Sequence, residues 1–263
     1  MTATDGLPTA PGTSGPSGAA VLFDIDDTLV DLAQAMGRTL REIPDPTLGH
    51  LGEDDWVRYA HLYTADPERH YDRFLAGDLT FQEQRVHRIR HARAPFTREP
   101  FVGTAVDDWV LAYEQMLPRH FRTFDDVTPL LDVLDEKGVP YGAVSNNTYA
   151  YQRAKLDRAG LGRMKVLVGI DTVGVAKPAP GIFREGVRLL GSDLHRTVYV
   201  GDNRQVDALG ARDAGLIGVW LDRTASSGPT MPAVRPGRPE VPVGEVPTIS
   251  SLLDVLEFLP LFR

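Results

Sequence analysis

Two aspartates two positions apart, Asp24 and Asp26, follow directly on an apolar run from Ala19 to Phe23. Side chains alternate faces along a strand, so carboxylates at this spacing at a strand's end are expected to point the same way and share one pocket. Like charges held close are unfavourable unless a cation offsets them or a proton is divided between them. The pair points to a metal site, an acid/base pair, or both. The competing reading is a turn of Asp26, Asp27 and Thr28 that caps the next helix.

Three further groups have the types that chemistry needs: Ser145-Asn146-Asn147, Lys177-Pro178, and Gly201-Asp202-Asn203 with Asp207 shortly after. Taken singly, each has a plain structural reading as turn residues, a helix cap or a surface charge. Of the 28 basic residues only Lys137, Lys155, Lys165 and Lys177 are lysines, and none lies between 31 and 124. In a chain that uses arginine almost everywhere else, the position of each lysine is informative.

The pattern of apolar residues says what must position these groups. Ala19–Asp24 is a short apolar run bounded by turn signals, as expected of a buried strand. Residues 31 to 124 carry helical spacing, as in Leu32, Met36, Leu40 and Val106, Val110, Tyr113, and read as a mostly helical insert. A helix then starts at Thr128-Pro129, buries Leu130, Leu131 and Leu134, and stops at Gly138. Beyond it strands are predicted at Val139–Ser145, Val166–Val168, Thr197–Gly201 and Ile217–Leu221. They alternate with helices at Thr148–Ala159, Ile182–Leu190 and Val206–Ala214, ended by Gly160, Gly191 and Gly215. Repeated βα units of this length predict an α/β fold, a parallel sheet with helices on both faces. Ligands of such sheets sit at the carboxyl ends of the strands, near the switch in strand order. The acid pair, Ser-Asn and Gly-Asp groups all fall there. Residues 225 to 247, rich in Pro, Gly and Val, read as a connector, and Ser251–Leu259 as a last helix with Leu252, Leu253, Leu256 and Leu259 on one stripe.

Composition sets the bounds. At 263 residues and 42% hydrophobic content the chain suits one large domain, or a domain with an insert. A net charge of -8 argues against nucleic acid or an anionic membrane surface as partner. The absence of cysteine excludes disulfides, thiolate metal sites and thiol nucleophiles. Residues 1 to 18 read as a disordered tail without a basic start or the apolar core of a secretory signal, so a cytoplasmic location is expected. No apolar run approaches the roughly 20 residues that span a bilayer. A monomer or homodimer is expected.

The order acid pair, Ser-Asn, Lys-Pro, Gly-Asp along residues 19 to 221 resembles the four motifs of the haloacid dehalogenase superfamily. The insert after the first motif sits where that superfamily carries its cap domain of the first type. The resemblance implies a doubly wound Rossmann-like parallel sheet as catalytic core, made of residues 19–30 and 125–263, with 31–124 as the helical cap. Carried over by position, it implies that Asp24 is the nucleophile that forms an aspartyl-phosphate, and that Asp26 protonates the leaving oxygen and then deprotonates the hydrolytic water. It implies that Ser145 and the backbone N–H of Asn146 hold phosphoryl oxygens, with Asn147 and Thr28 also at the substrate, and that Lys177 neutralises both Asp24 and the phosphate. Mg²⁺ is the implied cofactor, held by Asp24, the backbone carbonyl of Asp26, and Asp202. Asp207 is then expected to orient a metal-bound water or Lys177. Asn203 stands beside it where serine is common.

Within the family, Asp26 disfavours dehalogenation, since a halide leaves without a proton, and the lack of lysine in 31–124 disfavours imine-based phosphonate cleavage. Hydrolysis of a small phosphorylated metabolite is the leading expectation. A sugar-phosphate mutase and a catalytically silent binding module are the alternatives. In the insert, Arg85 and Arg88 share a helical face within a run that also holds Arg90, Arg93 and Arg98. That stripe is either a contact for a second anionic group or, more commonly, a solvated face. His87 and His91 have the spacing of a helical metal pair but lack an evident third ligand. Trp56, Tyr59, Tyr63 and Trp109 read as core of the insert.

Overall fold

The computed structural model describes residues 18–223 and 246–259. Apart from Gly18, Val246 and Pro247, the tail and the connector expected from the sequence lie outside the described residues. Six strands, β1 (Ala20–Phe23), β2 (Tyr141–Val144), β3 (Val166–Val168), β4 (Thr197–Gly201), β5 (Ile217–Leu221) and β6 (Thr248–Ile249), form one sheet in the order β3-β2-β1-β4-β5-β6. Every pairing is parallel, with Leu22 of β1 set opposite Gly142 on one side and Tyr199 on the other.

Strand alternation divides the core into two faces. Val21, Phe23, Ala143, Leu167, Val198 and Val200 belong to one cluster, where α6 (Val127–Glu136) packs Leu130, Leu131 and Leu134, and α7 (Tyr149–Arg158) packs Leu156. Leu22, Val144, Val168 and Tyr199 belong to the other, covered, beyond the short α8 (Ile170–Val173), by Ile182, Phe183 and Val187 of α9 (Pro180–Leu190) and Ala211 of α10 (Gly210–Asp213). Helices on both faces force near-continuous apolar strands, as the sequence of β1 shows. The fold is therefore the doubly wound α/β sheet expected. Strand order reverses at β1, with β2 and β3 on one side and β4 to β6 on the other, which opens a crevice at the carboxyl ends of β1 and β4.

Between β1 and α6 the described residues add no strand to this sheet. They form α1 (Leu32–Glu42), α2 (Glu53–Ala65), α3 (His70–Leu75), α4 (Phe81–Arg93) and α5 (Thr104–Met116), with short 3₁₀ turns at Pro46–Leu48 and Leu117–Arg119. The chain enters and leaves this stretch along one track. Asp31 N–H donates to the Arg122 carbonyl at 3.0 Å, and Val30 bridges Thr123. Tyr59, Tyr63 and Trp109 are buried and Trp56 partly so. They pack edge-on or stacked, Trp109 on Tyr113 at 4.8 Å, and form the interior the sequence predicted for the insert.

Three local features differ from expectation. The helix after β4 begins as a π-helical turn, Arg204–Leu209, before becoming α10. The last segment, Leu252–Phe258, is a 3₁₀ helix, whose period of three buries Leu252 and Val255 and leaves Leu253 41% exposed, off the stripe predicted for an α-helix. Strand β6 has only two residues, too few for any alternation to register.

Candidate functional site

Strand β1 delivers Asp24 to the crevice, and its N–H continues the ladder by donating to the Val200 carbonyl at 2.8 Å. The chain then turns sharply: Leu29 and Val30 N–H groups both return to the Ile25 carbonyl, and Asp27 adopts φ 60. Because the regular strand stops at Phe23, the period-two rule no longer governs the two carboxylates, and they engage different cations. Asp24 meets Lys177, whereas Asp26 meets Lys155. One shared pocket was expected; one crevice with two separately held acids is found.

Lys177 is 5% exposed, and its ammonium reaches Asp24 Oδ1 at 2.6 Å, Asp207 Oδ1 at 2.7 Å and the Tyr199 hydroxyl at 3.0 Å. An ammonium has three donors, and here all three are engaged. Burial pushes the Asp24 carboxyl well above the usual carboxylate range; Lys177 opposes this, while Asp207, Asp202 and Asp26 add to it. Burial works against the Lys177 charge too, yet Asp207 and Asp24, helped by Tyr199, outweigh it and hold the ammonium well above the usual lysine value. Removing positive charge from this corner would leave buried carboxylates uncompensated.

The frame around Lys177 is tied by backbone bonds. The Asn146 amide closes a reciprocal pair with the main chain of Lys177, donating to its carbonyl at 2.9 Å and accepting from its N–H at 2.6 Å. Ser145 is buried, its N–H on the Val168 carbonyl and its hydroxyl accepting from Gln152 Nε2 at 2.6 Å. The Asn147 side chain turns away to accept from Thr148 N–H at 2.8 Å, which places it at the start of α7. Thr28 joins the first and fourth motifs, its hydroxyl accepting from Asp202 N–H at 3.0 Å and lying 3.5 Å from Asp24 Oδ2.

At the end of β4, carboxylate oxygens of Asp24, Asp202 and Asp207 lie within 4.8 Å of one another. Among the described residues this is the one group of acids and histidines gathered closely enough for a metal ion. All-oxygen donors of this kind suit a hard divalent cation. Asp207 is already committed elsewhere, Oδ1 to Lys177 and Tyr199 and Oδ2 to Asn203 N–H at 3.0 Å, so Asp24 and Asp202 are the better-placed donors. The π-turn brings Asp207 hard against Gly201, where a side chain's first carbon would collide with its carboxyl group, so glycine is required there. Trp220 Nε1 fixes the Asp202 carbonyl at 2.9 Å.

Sequence reasoning passed over four side chains at this site. Tyr199 lies mid-strand in an apolar run, with nothing but its hydroxyl to betray it. Gln152 and Lys155 stand three apart on α7 and so share a face, and Lys155 is one of the four lysines, which was the available signal. Tyr71, from α3, donates its hydroxyl to the Asn146 carbonyl at 2.5 Å. The insert's other polar residues are placed differently from expectation. Arg85, Arg88 and Arg93 are buried and not solvated: Arg85 bonds the Tyr151 hydroxyl at 3.0 Å, Arg88 the Tyr63 carbonyl at 2.9 Å, and Arg93 pairs with Asp45. Arg90 and Arg98 are exposed. His91 bonds Glu68 at 2.9 Å and His87 stacks on His70, with rings 4.9 Å apart.

Comparison with known proteins agrees with this architecture. A family model described as haloacid dehalogenase-like hydrolase matches residues 19–215. The chain is 31% identical over 215 residues to the glyceraldehyde 3-phosphate phosphatase of Methanopyrus kandleri, covering 78% of this chain and 84% of that one. It is 28% identical to the ribulose-1,5-bisphosphate 5-phosphatase of Halopiger xanaduensis, covering 90% and 98%. A putative hydrolase of the same superfamily from Bacillus subtilis, solved bound to magnesium, shares the fold with a TM-score of 0.67 at 21% identity, covering 92% of this chain and 99% of that one. The protein belongs to the haloacid dehalogenase-like hydrolases. No helix of the described residues is long and apolar enough to cross a membrane.

Proposed function

We propose that the protein is a cytoplasmic, Mg²⁺-dependent phosphomonoester hydrolase acting on a small phosphorylated metabolite, with residues 31–124 as its cap. The observation that carries the reading is the buried Lys177 ammonium held 2.6 Å from Asp24, beside the oxygen cluster of Asp24, Asp202 and Asp207. The phosphatase relatives support it, as does the presence of Asp26, which a dehalogenase has no need of.

Asp24 attacks phosphorus, the bond to the leaving oxygen breaks, and Asp26 supplies that oxygen with a proton. Asp26 then takes a proton from water as the water displaces the Asp24 carboxylate and phosphate departs. Ser145 and the Asn146 N–H hold phosphoryl oxygens, and Lys177 offsets their charge at fixed distance, the kind of preorganised electrostatics that phosphoryl transfer relies on. Asp24, Asp202 and the Asp26 carbonyl are the donors that would hold Mg²⁺, which supplies further charge neutralisation to the phosphate when bound. Asp207 orients Lys177.

The test is release of inorganic phosphate from a panel of phosphorylated metabolites, with and without Mg²⁺, in wild type and Asp24→Asn. Mg²⁺-dependent release, lost in the variant, is expected. Isomerisation of a sugar phosphate without net release would make the protein a mutase. Silence across the panel would leave a binding module.

A further inference from the structure

Lys155 is 1% exposed in its side chain and forms an ion pair with Asp26 Oδ1, while the Asp26 side chain is 24% exposed. The buried partner is thus the cation, fixed on helix α7 and flanked by the rings of Tyr151 at 5.1 Å and Phe121 at 5.4 Å. The other carboxylate oxygen accepts from Gln152 Nε2 at 3.0 Å, and the same nitrogen reaches Ser145 Oγ at 2.6 Å. A carboxylate oxygen only accepts, so this contact fixes which end of the Gln152 amide faces Asp26. Donors on both oxygens determine the plane of a carboxylate as well as its position.

We propose that Lys155 and Gln152 are positioning residues that set the orientation of the Asp26 carboxyl group, and that Gln152 couples this orientation to the phosphate-gripping hydroxyl of Ser145. The inference rests on the reading of Asp26 as the group that serves the leaving oxygen. Both residues act from α7, the helix that follows the Ser145-Asn146 loop. Phosphate capture and proton delivery are therefore held by one rigid element, separate from the loop that carries Asp26. Sites that must keep a reacting group within fractions of an ångström depend on such supporting contacts.

The experiment compares Lys155→Met and Gln152→Leu with wild type on two esters. One is p-nitrophenyl phosphate, whose phenolate leaves without a proton; the other is the best alkyl phosphate from the metabolite panel. The expected result for Lys155→Met is a fall of about tenfold to a hundredfold in kcat/KM for the alkyl ester, against less than about threefold for the aryl ester, since positioned acid catalysis is worth about a hundredfold or more in full; Gln152→Leu, which also releases Ser145, should show the same preference for the aryl ester on top of a loss common to both. The double variant Asp26→Ala/Lys155→Met should lose no more than Asp26→Ala alone. Equal losses on both esters, no loss on either, or additive losses would overturn the proposal. Crystal structures of wild type and Lys155→Met supply a readout independent of turnover. A carboxyl group at residue 26 that leaves its wild-type position supports the inference, and one that stays in place sinks it. Activity lost in Asp24→Asn reports on the hydrolase reading separately. Gln152→Leu keeps the ion pair and guards against a Lys155 variant that does not fold.

Discussion

The sheet edge and the helical insert both bury cations, and they use them differently. At the edge, Lys177 and Lys155 face side-chain carboxylates, so their charges are balanced by groups that could themselves react. In the insert, Arg88 takes up the Tyr63 carbonyl near the end of α2 and lies 4.5 Å from the Tyr63 ring, Arg85 lies 4.2 Å from Phe81 and 3.5 Å from the exposed carboxylate of Glu114, and Arg93 pairs with Asp45 away from the crevice residues. Arginine there fastens helices together. The contrast teaches that burial of a charge marks a reactive centre only when its counter-charge is also placed to react.

Exchanging lysine for arginine at the edge should break the contrast most severely. In Lys177→Arg, a planar fork replaces a compact tetrahedral donor set whose three partners all lie within 3.0 Å. A loss of about a hundredfold or more in kcat is expected, with the fold retained by circular dichroism. Wild-type turnover in that variant would show that the shape of the cation is immaterial.

Arg88→Met should do the reverse, lowering stability by about 2–4 kcal/mol in urea unfolding while kcat per folded molecule stays constant, because orphaned helix carbonyls are the cost. A variant as stable as wild type but with altered kcat would move Arg88 into the site.

The smallest effect belongs to Asp126, which joins Arg223 at 3.0 Å to the Leu252 N–H at 2.8 Å, while Arg223 also donates to the Thr28 carbonyl at 2.8 Å. Burial alone would raise its carboxyl group, but Arg223, the Leu252 N–H and Ser251 hold it below the ordinary aspartate value. A carboxyl lowered in the folded state contributes stability above its unfolded value, and that contribution is lost as the pH falls through the folded one. Asp126→Asn should cost about 1 kcal/mol at neutral pH. The gap to wild type should close in acid, and a gap that persists there would contradict the charge-based account.

Much of the sheet edge was legible because its grammar is local. The boundaries of β3, β4 and β5 follow from apolar runs between turn residues, and the helix stops at Gly138, Gly160, Gly191 and Gly215 fall at glycines with positive φ. Spacing along one chain could not reveal that Asp24 and Asp26 part company, because that depends on a turn after Phe23 and on a helix more than a hundred residues later. The fates of Arg85 and Arg88 were hidden for the same reason. A solvated stripe and a buried one have the same period, and only the neighbouring helices decide between them.

The tight approach of Asp207 to Gly201 has a consequence for divergence. A methyl group at position 201 would strike a carboxylate that Lys177, Tyr199 and Asn203 already pin, so it has no room to yield. One hydrogen atom is the whole allowance for novelty at the tip of β4. A larger residue there would have to arrive together with a change at Asp207 and in the partners that hold it.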